Sequence, residues 1–280
     1  MGSKEQQPTN EQLEKIEEGS KQILQDCLSP FVSLEQKEID YAKTLLHKAE
    51  NDEKVARYCF ETKDYDNAVF HLQQACEKSL KSMVLRFGLK NKEELRKEYR
   101  HNTAKLLLDV VRSIQGIKTV LAAFELTINE DELQTASVDI KNRRTMDLED
   151  ISTLIGYSEK IKSTDAITDV WGRVNDSVTN YFKDRRNMRL HPRITPPTQE
   201  ELTSICKNML RIAPVCWLAY ATLPYAVDPR YENIGISENT PIVQKFEQII
   251  GIQANIRENL NSLIDTIRPT AVPNYTYRLK

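Results

Sequence analysis

Arginine and histidine occur close together in the most basic stretch of the chain, Lys183 to Arg193. Arg186 is followed directly by a polar residue, Asn187, and five positions later by His191. Histidine titrates near neutral pH and can transfer protons, whereas arginine stays charged and presents a planar fork of donors to phosphate oxygens. In a helix, Asn187 and His191 would be neighbours on one face because four positions separate them. A side chain that can transfer protons thus lies close to fixed positive charges, which predicts acid–base chemistry on a ligand that carries phosphate.

Further cations surround this motif. The stretch also contains Lys183, Arg185, Arg189 and Arg193, with Asp184 as its one acid. These four cations are expected to bind RNA phosphates, since neutralising phosphates supplies most of the affinity for nucleic acid. The whole chain carries a net charge of −2, so any such attraction must be local. The alternative without a function in binding or catalysis is a solvated helix end whose cations interact with the helix dipole.

Composition favours helices and an intracellular protein. The chain has 8 glycines in 280 residues, few for the turns and phosphate loops of β and α/β folds. Its five cysteines include no C-x-x-C pair, so a zinc ribbon is not expected. The cysteines are expected to be reduced thiols. The polar start of the chain and the absence of a long apolar run predict a cytoplasmic protein without membrane contact. No phosphate-binding loop, nucleotidyltransferase carboxylate set or cofactor motif is evident.

The elements that must position the motif read as helices throughout. Apolar residues at helical spacing predict helices from Leu34 to Phe60, Asp66 to Phe87, Asn102 to Ile114, Leu148 to Ile161 and Ala166 to Leu190. A T-x-x-E capping box at Thr198 predicts the start of the next helix, and Thr240-Pro241 the start of the last. Three regions follow: a polar, partly helical arm (1–37), a helical domain (38–222), and a linker with a long amphipathic helix (223–280).

The last helix contains an apolar seam at alternating spacings of four and three. Its members are Ile242, Phe246, Ile249, Gln253, Ile256, Leu260, Leu263 and Ile267. The preferred interpretation is a helix lying on its own domain; a seam for a partner helix, as in a helical adaptor, is the alternative.

The helix that follows Tyr65 resembles the signature of HEPN domains (higher eukaryotes and prokaryotes nucleotide-binding). The resemblance rests on Gln73-Gln74-Ala75, Glu77-Lys78 and Lys81 after an aromatic start, with Gly88 beyond. It implies an all-α, up-and-down helical bundle, here with an N-terminal helical arm and a long C-terminal helix, that pairs into a homodimer. Many HEPN proteins are metal-independent ribonucleases with an R-x(4–6)-H motif, often with a polar residue after the arginine.

Two segments fit that motif. Arg96 and His101 have the same spacing as Arg186 and His191, but Asn187 and the position near the end of the bundle favour the second pair. The resemblance therefore implies that Arg186, Asn187 and His191 are catalytic in cleaving single-stranded RNA, in a toxin or defence effector. Helix capping is the expected role of Arg96 and His101. The basic cluster Lys141 to Arg144 is a solvated loop or an additional phosphate contact.

Two other functions stay open. One is a non-catalytic module that binds nucleotide or RNA, or that pairs with a small nucleotidyltransferase or an antitoxin. The other is a helical adaptor that uses the last helix. The enzyme requires RNA cleavage that His191 supports, the binding module requires a ligand without cleavage, and the adaptor requires the seam of the last helix.

Overall fold

The computed structural model describes residues 8–28, 36–100, 102–137, 147–162, 168–186, 198–226 and 235–266. Within those ranges the chain is α-helical and contains no strand, which confirms the all-α prediction. The α-helices are α1 (Asn10–Leu28), α2 (Gln36–Glu61), α3 (Tyr65–Arg86), α4 (Lys92–Glu94), α5 (Thr103–Ser113), α6 (Gln115–Ala122), α7 (Glu130–Ala136), α8 (Leu148–Lys162), α9 (Thr168–Arg186), α10 (Gln199–Ile212), α11 (Pro214–Ala221), α12 (Pro241–Gln244) and α13 (Phe246–Thr266).

Helices α2 and α3 form an antiparallel hairpin at the centre of the bundle. The turn between them places Asp64 at the N-cap of α3, where its side chain accepts a hydrogen bond from the backbone N–H of Asn67. The helix predicted from Asp66 begins one residue earlier, at Tyr65. Asp66 accepts a hydrogen bond from the backbone N–H of Ile236, at 3.3 Å. At the other end, Gly88 has a φ of +63°, a left-handed conformation that stops the helix as predicted.

Helix α3 is surrounded on most of its circumference because α2, α5, α11 and α13 all pack against it. The predicted apolar stripe lies in this core: Phe87 is partly buried, and the other members are completely buried, namely Val69, Leu72, Cys76, Leu80 and Met83. Polar residues of α3 are also buried, including Gln73, Glu77, Ser79 and Ser82. The helix that carries the family signature is thus the hub of the bundle.

The N-terminal helix α1 belongs to the same hydrophobic core. Its apolar face, which includes Leu13, Ile16, Ile23 and Leu24, is buried, mainly against α6 and α9. The crossing with α6 is close because glycine occupies both sides of it: a Cβ added to Gly116 would lie 2.5 Å from the carbonyl oxygen of Gly19.

Helices α9 and α10 form a second antiparallel pair. The amide Nε2 of Gln199, at the start of α10, donates to Thr179 Oγ1 at 2.8 Å, and Lys207 and Arg211 near its end lie over the ring of Trp171. Helix α10 begins at Gln199, directly after Thr198, as predicted. It also packs against α13 and α8, and so connects α9 to the α2–α3 hairpin through α13.

The predicted last helix is interrupted. Thr240 is its N-cap and Pro241 its first residue, as expected, but Lys245 leaves the helical conformation and separates α12 from α13. The apolar seam from Ile242 to Leu263 faces the protein's own core and is buried, which confirms the preferred interpretation; Ile267 lies outside the described residues. Gln253 within the seam donates to Ser79 Oγ on α3 at 2.7 Å. In the described ranges, no helix is both long enough and apolar enough to cross a membrane.

Candidate functional site

The basic stretch begins in the last turn of α9. Lys183 is solvent-exposed, and Arg185 and Arg186 are the last two residues of the helix. The remaining predicted site residues, Asn187, Arg189, His191 and Arg193, lie outside the described residues, as does the Lys141 to Arg144 cluster. The described structure thus places three of the predicted cations within one helical turn, at the point where the chain leads into Asn187 and His191.

Helix α9 is held in place by buried residues and by polar contacts with α1. Val170, Val174 and Val178 are completely buried. On α1, Glu17 accepts a hydrogen bond from Arg173 Nη1 at 2.9 Å, and its backbone carbonyl accepts one from Ser177 Oγ at 3.3 Å. The hydrogen bond from Lys21 lowers the pKa of Glu17 most; burial opposes it, and Arg173 lowers it further. Further along α9, Thr179 accepts a hydrogen bond from Gln199 and Tyr181 packs against the core, so the helix is held to within two residues of Lys183.

The second R-x(4)-H segment has a different setting. Arg96 lies in a π-helical turn, Leu95–Tyr99, and both Arg96 and Arg100 are exposed. Tyr99 is buried and donates its hydroxyl hydrogen to Asp109. His101 lies outside the described residues. π-Helical turns are frequent at functional sites, so this geometry is compatible with a functional role of the segment as well as with helix capping.

The family-signature residues of α3 form a buried hydrogen-bond network. Gln73 Nε2 donates to Glu77 Oε2 at 3.4 Å, and Thr103 Oγ1 at the start of α5 donates to the same oxygen at 2.8 Å. Lys81 donates both to Glu77 and to the backbone carbonyl of Arg100. The network ties the centre of α3 to the chain between Tyr99 and Thr103, and this explains why the signature combines long polar residues with an otherwise buried helix.

Glu77 is the acidic centre of this network. Burial alone would raise the pKa of its carboxyl group, but attraction to Lys81 and hydrogen bonds from Lys81 and Thr103 outweigh burial and hold the pKa below its usual value. Glu77 is therefore ionised at neutral pH and paired. Its partners among the described residues are Gln73, Lys81 and Thr103.

A second polar cluster joins α2 to α3. Asp52 Oδ1 on α2 lies 3.2 Å from Nδ1 of His71, and Asp52 Oδ2 lies 2.6 Å from Nζ of Lys78. Burial raises the pKa of Asp52, but hydrogen bonds from His71 and Lys78 more than compensate and lower it. His71 is partly buried, and the carboxylate of Asp52 holds its ring.

Sequence reasoning missed a third cluster, on α10. Nζ of Lys207 lies 5.4 Å and Cζ of Arg211 lies 5.6 Å from the ring centre of Trp171 on α9. The side chain of Trp171 is buried, with 6% of its surface exposed. The i,i+4 spacing of Lys207 and Arg211 was a visible signal that both cations share one face, but the ring that holds them lies 36 positions earlier in the chain.

None of these clusters has the composition of a metal site. Within the described ranges, no group of three or more histidine, cysteine, aspartate or glutamate side chains is positioned to bind a metal ion.

Comparison with known proteins identifies the α2–α8 part of this structure. Residues 42–164 match the family model of the HEPN domain. The matched range contains the α3 network, the Asp52–His71–Lys78 cluster and the Arg96 segment, and it ends before Arg186. No curated protein and no solved structure matches the chain.

Proposed function

We propose that this chain, whose residues 42–164 match the HEPN domain family, is a metal-independent RNA endonuclease. The observation that carries the proposal is the basic last turn of α9, which leads directly into Asn187 and His191. Arg186 and His191 fit the R-x(4–6)-H pattern of ribonucleases in this family, with a polar residue at Asn187. Lys183, Arg185, Arg189 and Arg193 are proposed to bind the RNA backbone.

The proposed reaction is an attack by the RNA's own 2′-hydroxyl. A base removes the 2′-OH proton, the 2′ oxygen bonds to phosphorus, and the bond from phosphorus to the 5′ oxygen breaks. An acid protonates the departing 5′ oxygen, which leaves a 2′,3′-cyclic phosphate and a 5′-hydroxyl. His191 supplies proton transfer, Arg186 stabilises the charge that develops on the phosphate oxygens, and Asn187 orients the reacting groups.

The motif contributes one histidine per chain, His191, which does not provide both a base and an acid. A homodimer with a twofold axis through the cleft would bring two copies of Arg186 and His191 together and provide both. We propose that the active form is this dimer. The anchoring of α9 by α1 and α10 supports it, because a catalytic pair at a helix end needs a rigid base to stay in register across two chains.

The direct test is a cleavage assay on single-stranded RNA, with and without EDTA. The wild-type protein is expected to cleave under both conditions and to leave cyclic or 3′-phosphate ends, and His191→Ala is expected to be inactive. Loss of cleavage in EDTA would contradict the metal-independent mechanism. Cleavage by His191→Ala at the wild-type rate would show that the motif is the wrong one.

A second candidate function is a non-catalytic HEPN module that binds RNA or nucleotide, or that pairs with a nucleotidyltransferase or an antitoxin. One observation favours it: the family match ends at residue 164, before the Arg186 motif. This module would bind RNA without cutting it. The adaptor function loses its basis, since the seam of α12 and α13 is buried in the chain's own core. A role as a toxin or defence effector belongs to the endonuclease proposal.

A further inference from the structure

Lys207 and Arg211 are partly buried cations that are held in place without a carboxylate partner. Both lie over the Trp171 ring, and neither forms an ion pair within the described residues. Most other partly buried cations here are paired, for example Lys78 with Asp52 and Arg257 with Glu53. A cation that is immobilised against an aromatic ring but lacks an acid keeps its charge available for an external anion.

These two cations line an open groove along α10. The groove has a volume of about 560 Å³, and its walls are formed by one polar face of the helix, with Gln199, Glu200, Thr203, Ser204, Lys207, Asn208 and Arg211. Among these lining residues Glu200 is the one acid, and it lies at the far end from Lys207 and Arg211. The hydroxyl and amide groups between the two ends are hydrogen-bond donors suited to phosphate and sugar oxygens.

A second, independent feature adjoins Arg211. Arg211 also lines a smaller cavity of about 210 Å³, together with Ser158, Asn255 and Asn259. Nε1 of Trp171 is buried and has no acceptor in the described part of the chain. Arg211 therefore borders two cavities, and the wall of the smaller one is mixed, with Ile161, Ile252 and Ile256 beside its polar residues.

We propose that the Lys207–Arg211 groove binds the phosphates of a single-stranded RNA on one side of the cleavage position. The inference rests on the proposed endonuclease function and extends it to the substrate path. Trp171, whose ring lies under both cations, is on α9, and fifteen residues of that helix, about 22 Å, separate it from Arg186. That span is of the order of the shortest single-strand binding tracks, about four nucleotides. The enzyme is thus expected to need flanking nucleotides in addition to the scissile phosphate.

The test measures binding separately from cleavage. A fluorescent 12-nucleotide 2′-O-methyl RNA lacks the attacking hydroxyl and cannot be cut by the proposed reaction. Its affinity is measured at several salt concentrations for wild type and for Lys207→Gln/Arg211→Gln, whose glutamines keep apolar stems for packing on Trp171. The matched control is Lys48→Gln/Lys63→Gln, which removes two exposed charges on α2 and in the turn after it.

The groove variant is expected to bind roughly tenfold more weakly, and its slope of log affinity against log salt is expected to fall by about two. The control pair is expected to change neither quantity. Equal losses in both pairs, or an unchanged salt slope in the groove variant, would overturn the inference. Displacement of the RNA by adenosine monophosphate at stoichiometric concentration would also overturn it, since the groove would then be a mononucleotide site.

The outcomes separate this inference from the endonuclease proposal. If the groove variant cleaves unmodified RNA as well as the wild type does, the groove is not part of the RNA-binding site, while the endonuclease proposal stands. If RNA binding requires both cations but the wild-type protein cuts no RNA, the endonuclease proposal is contradicted, while the groove as an RNA-binding site stands. Thermal unfolding of each variant shows whether a loss of binding reflects a loss of folded protein.

Discussion

A Cβ atom on Gly116 of α6 would lie 2.5 Å from the carbonyl oxygen of Gly19 on α1. Two helix backbones meet at this point without side chains between them. The same helix α1 holds α9 through Glu17, which pairs with Arg173. The glycine crossing therefore fixes the helix that supports the basic end of α9, although it is distant from that end in the chain.

Gly116→Ala is expected to lower the free energy of unfolding by about 1–3 kcal/mol, because the methyl group forces the two backbones apart. Gly156→Ala is the matched control: this helical glycine of α8 has nothing within 4 Å of an added Cβ. It is expected to gain up to about 1 kcal/mol from helix propensity. Urea denaturation of both variants tests the pair. Equal stability changes would show that α1 does not dock at this crossing.

The sequence predicts the helices but not which ones become central. The stripe from Val69 to Met83 is buried as the 3.6-residue period requires. Glu77 of the same helix is charged and yet buried; its partner Thr103 lies 26 positions away, where pattern analysis of one helix does not reach. Likewise the close approach of α1 to α6 depends on Gly116, and the sequence does not show that this glycine lies at a helix crossing.

Glu77→Gln tests the signature network through its pH dependence. At neutral pH the loss of the charged hydrogen bonds is expected to cost about 1.5–3 kcal/mol of stability. The folded-state pKa of Glu77 lies below its unfolded value, so its contribution is complete above the unfolded pKa and is lost as pH falls through the folded pKa. The stability gap between wild type and variant should therefore shrink in acid. Glu93→Gln, in an exposed pair with Lys97, should show a small gap at every pH.

The buried pair of Glu53 and Arg257 joins α2 to α13. Burial raises the pKa of Glu53 despite the attraction of Arg257. Arg257→Leu is expected to cost about 3–5 kcal/mol at neutral pH, since it leaves a buried carboxylate without its cation. The cost should decrease as pH falls, because a carboxyl group with a raised folded-state pKa takes up a proton and is then neutral.

The control for this pair lies on the surface between the same two helices. Arg57 on α2 pairs with Glu247 on α13, and both side chains are substantially exposed. Arg57→Leu is expected to change stability by less than about 1 kcal/mol, with little dependence on pH. A comparable loss in both variants would show that the location of the pair, and not its burial, decides its contribution.

The candidate site could be predicted only in its residue types. Arg186, Asn187 and His191 were selected by their spacing and by the family resemblance, and that selection stays a prediction. The cations Lys207 and Arg211 went unnoticed because their meaning depends on Trp171, a residue of another helix. A site that is assembled from two helices is visible in sequence only when each helix carries a recognisable motif.

The protein is expected to be a homodimer in solution, because one His191 per chain does not supply both acid and base. Light scattering coupled to gel filtration should give twice the chain mass at the concentration of the cleavage assay. Dilution below the dimer dissociation constant should reduce the activity per chain, because the monomer holds half of the catalytic groups. A monomer with full activity per chain would contradict the shared cleft.

The chemistry of the Arg186 motif is tested by a set of four variants. His191→Ala is expected to lose detectable turnover, since general acid–base catalysis contributes roughly 10²- to 10⁴-fold. Arg186→Lys keeps the charge but loses the planar fork and should be severely impaired. Arg96→Ala and His101→Ala carry the same residue types at the same spacing and should retain most cleavage. Inactive Arg96 and His101 variants beside an active His191→Ala would transfer the catalytic role to the π-helical turn before α5.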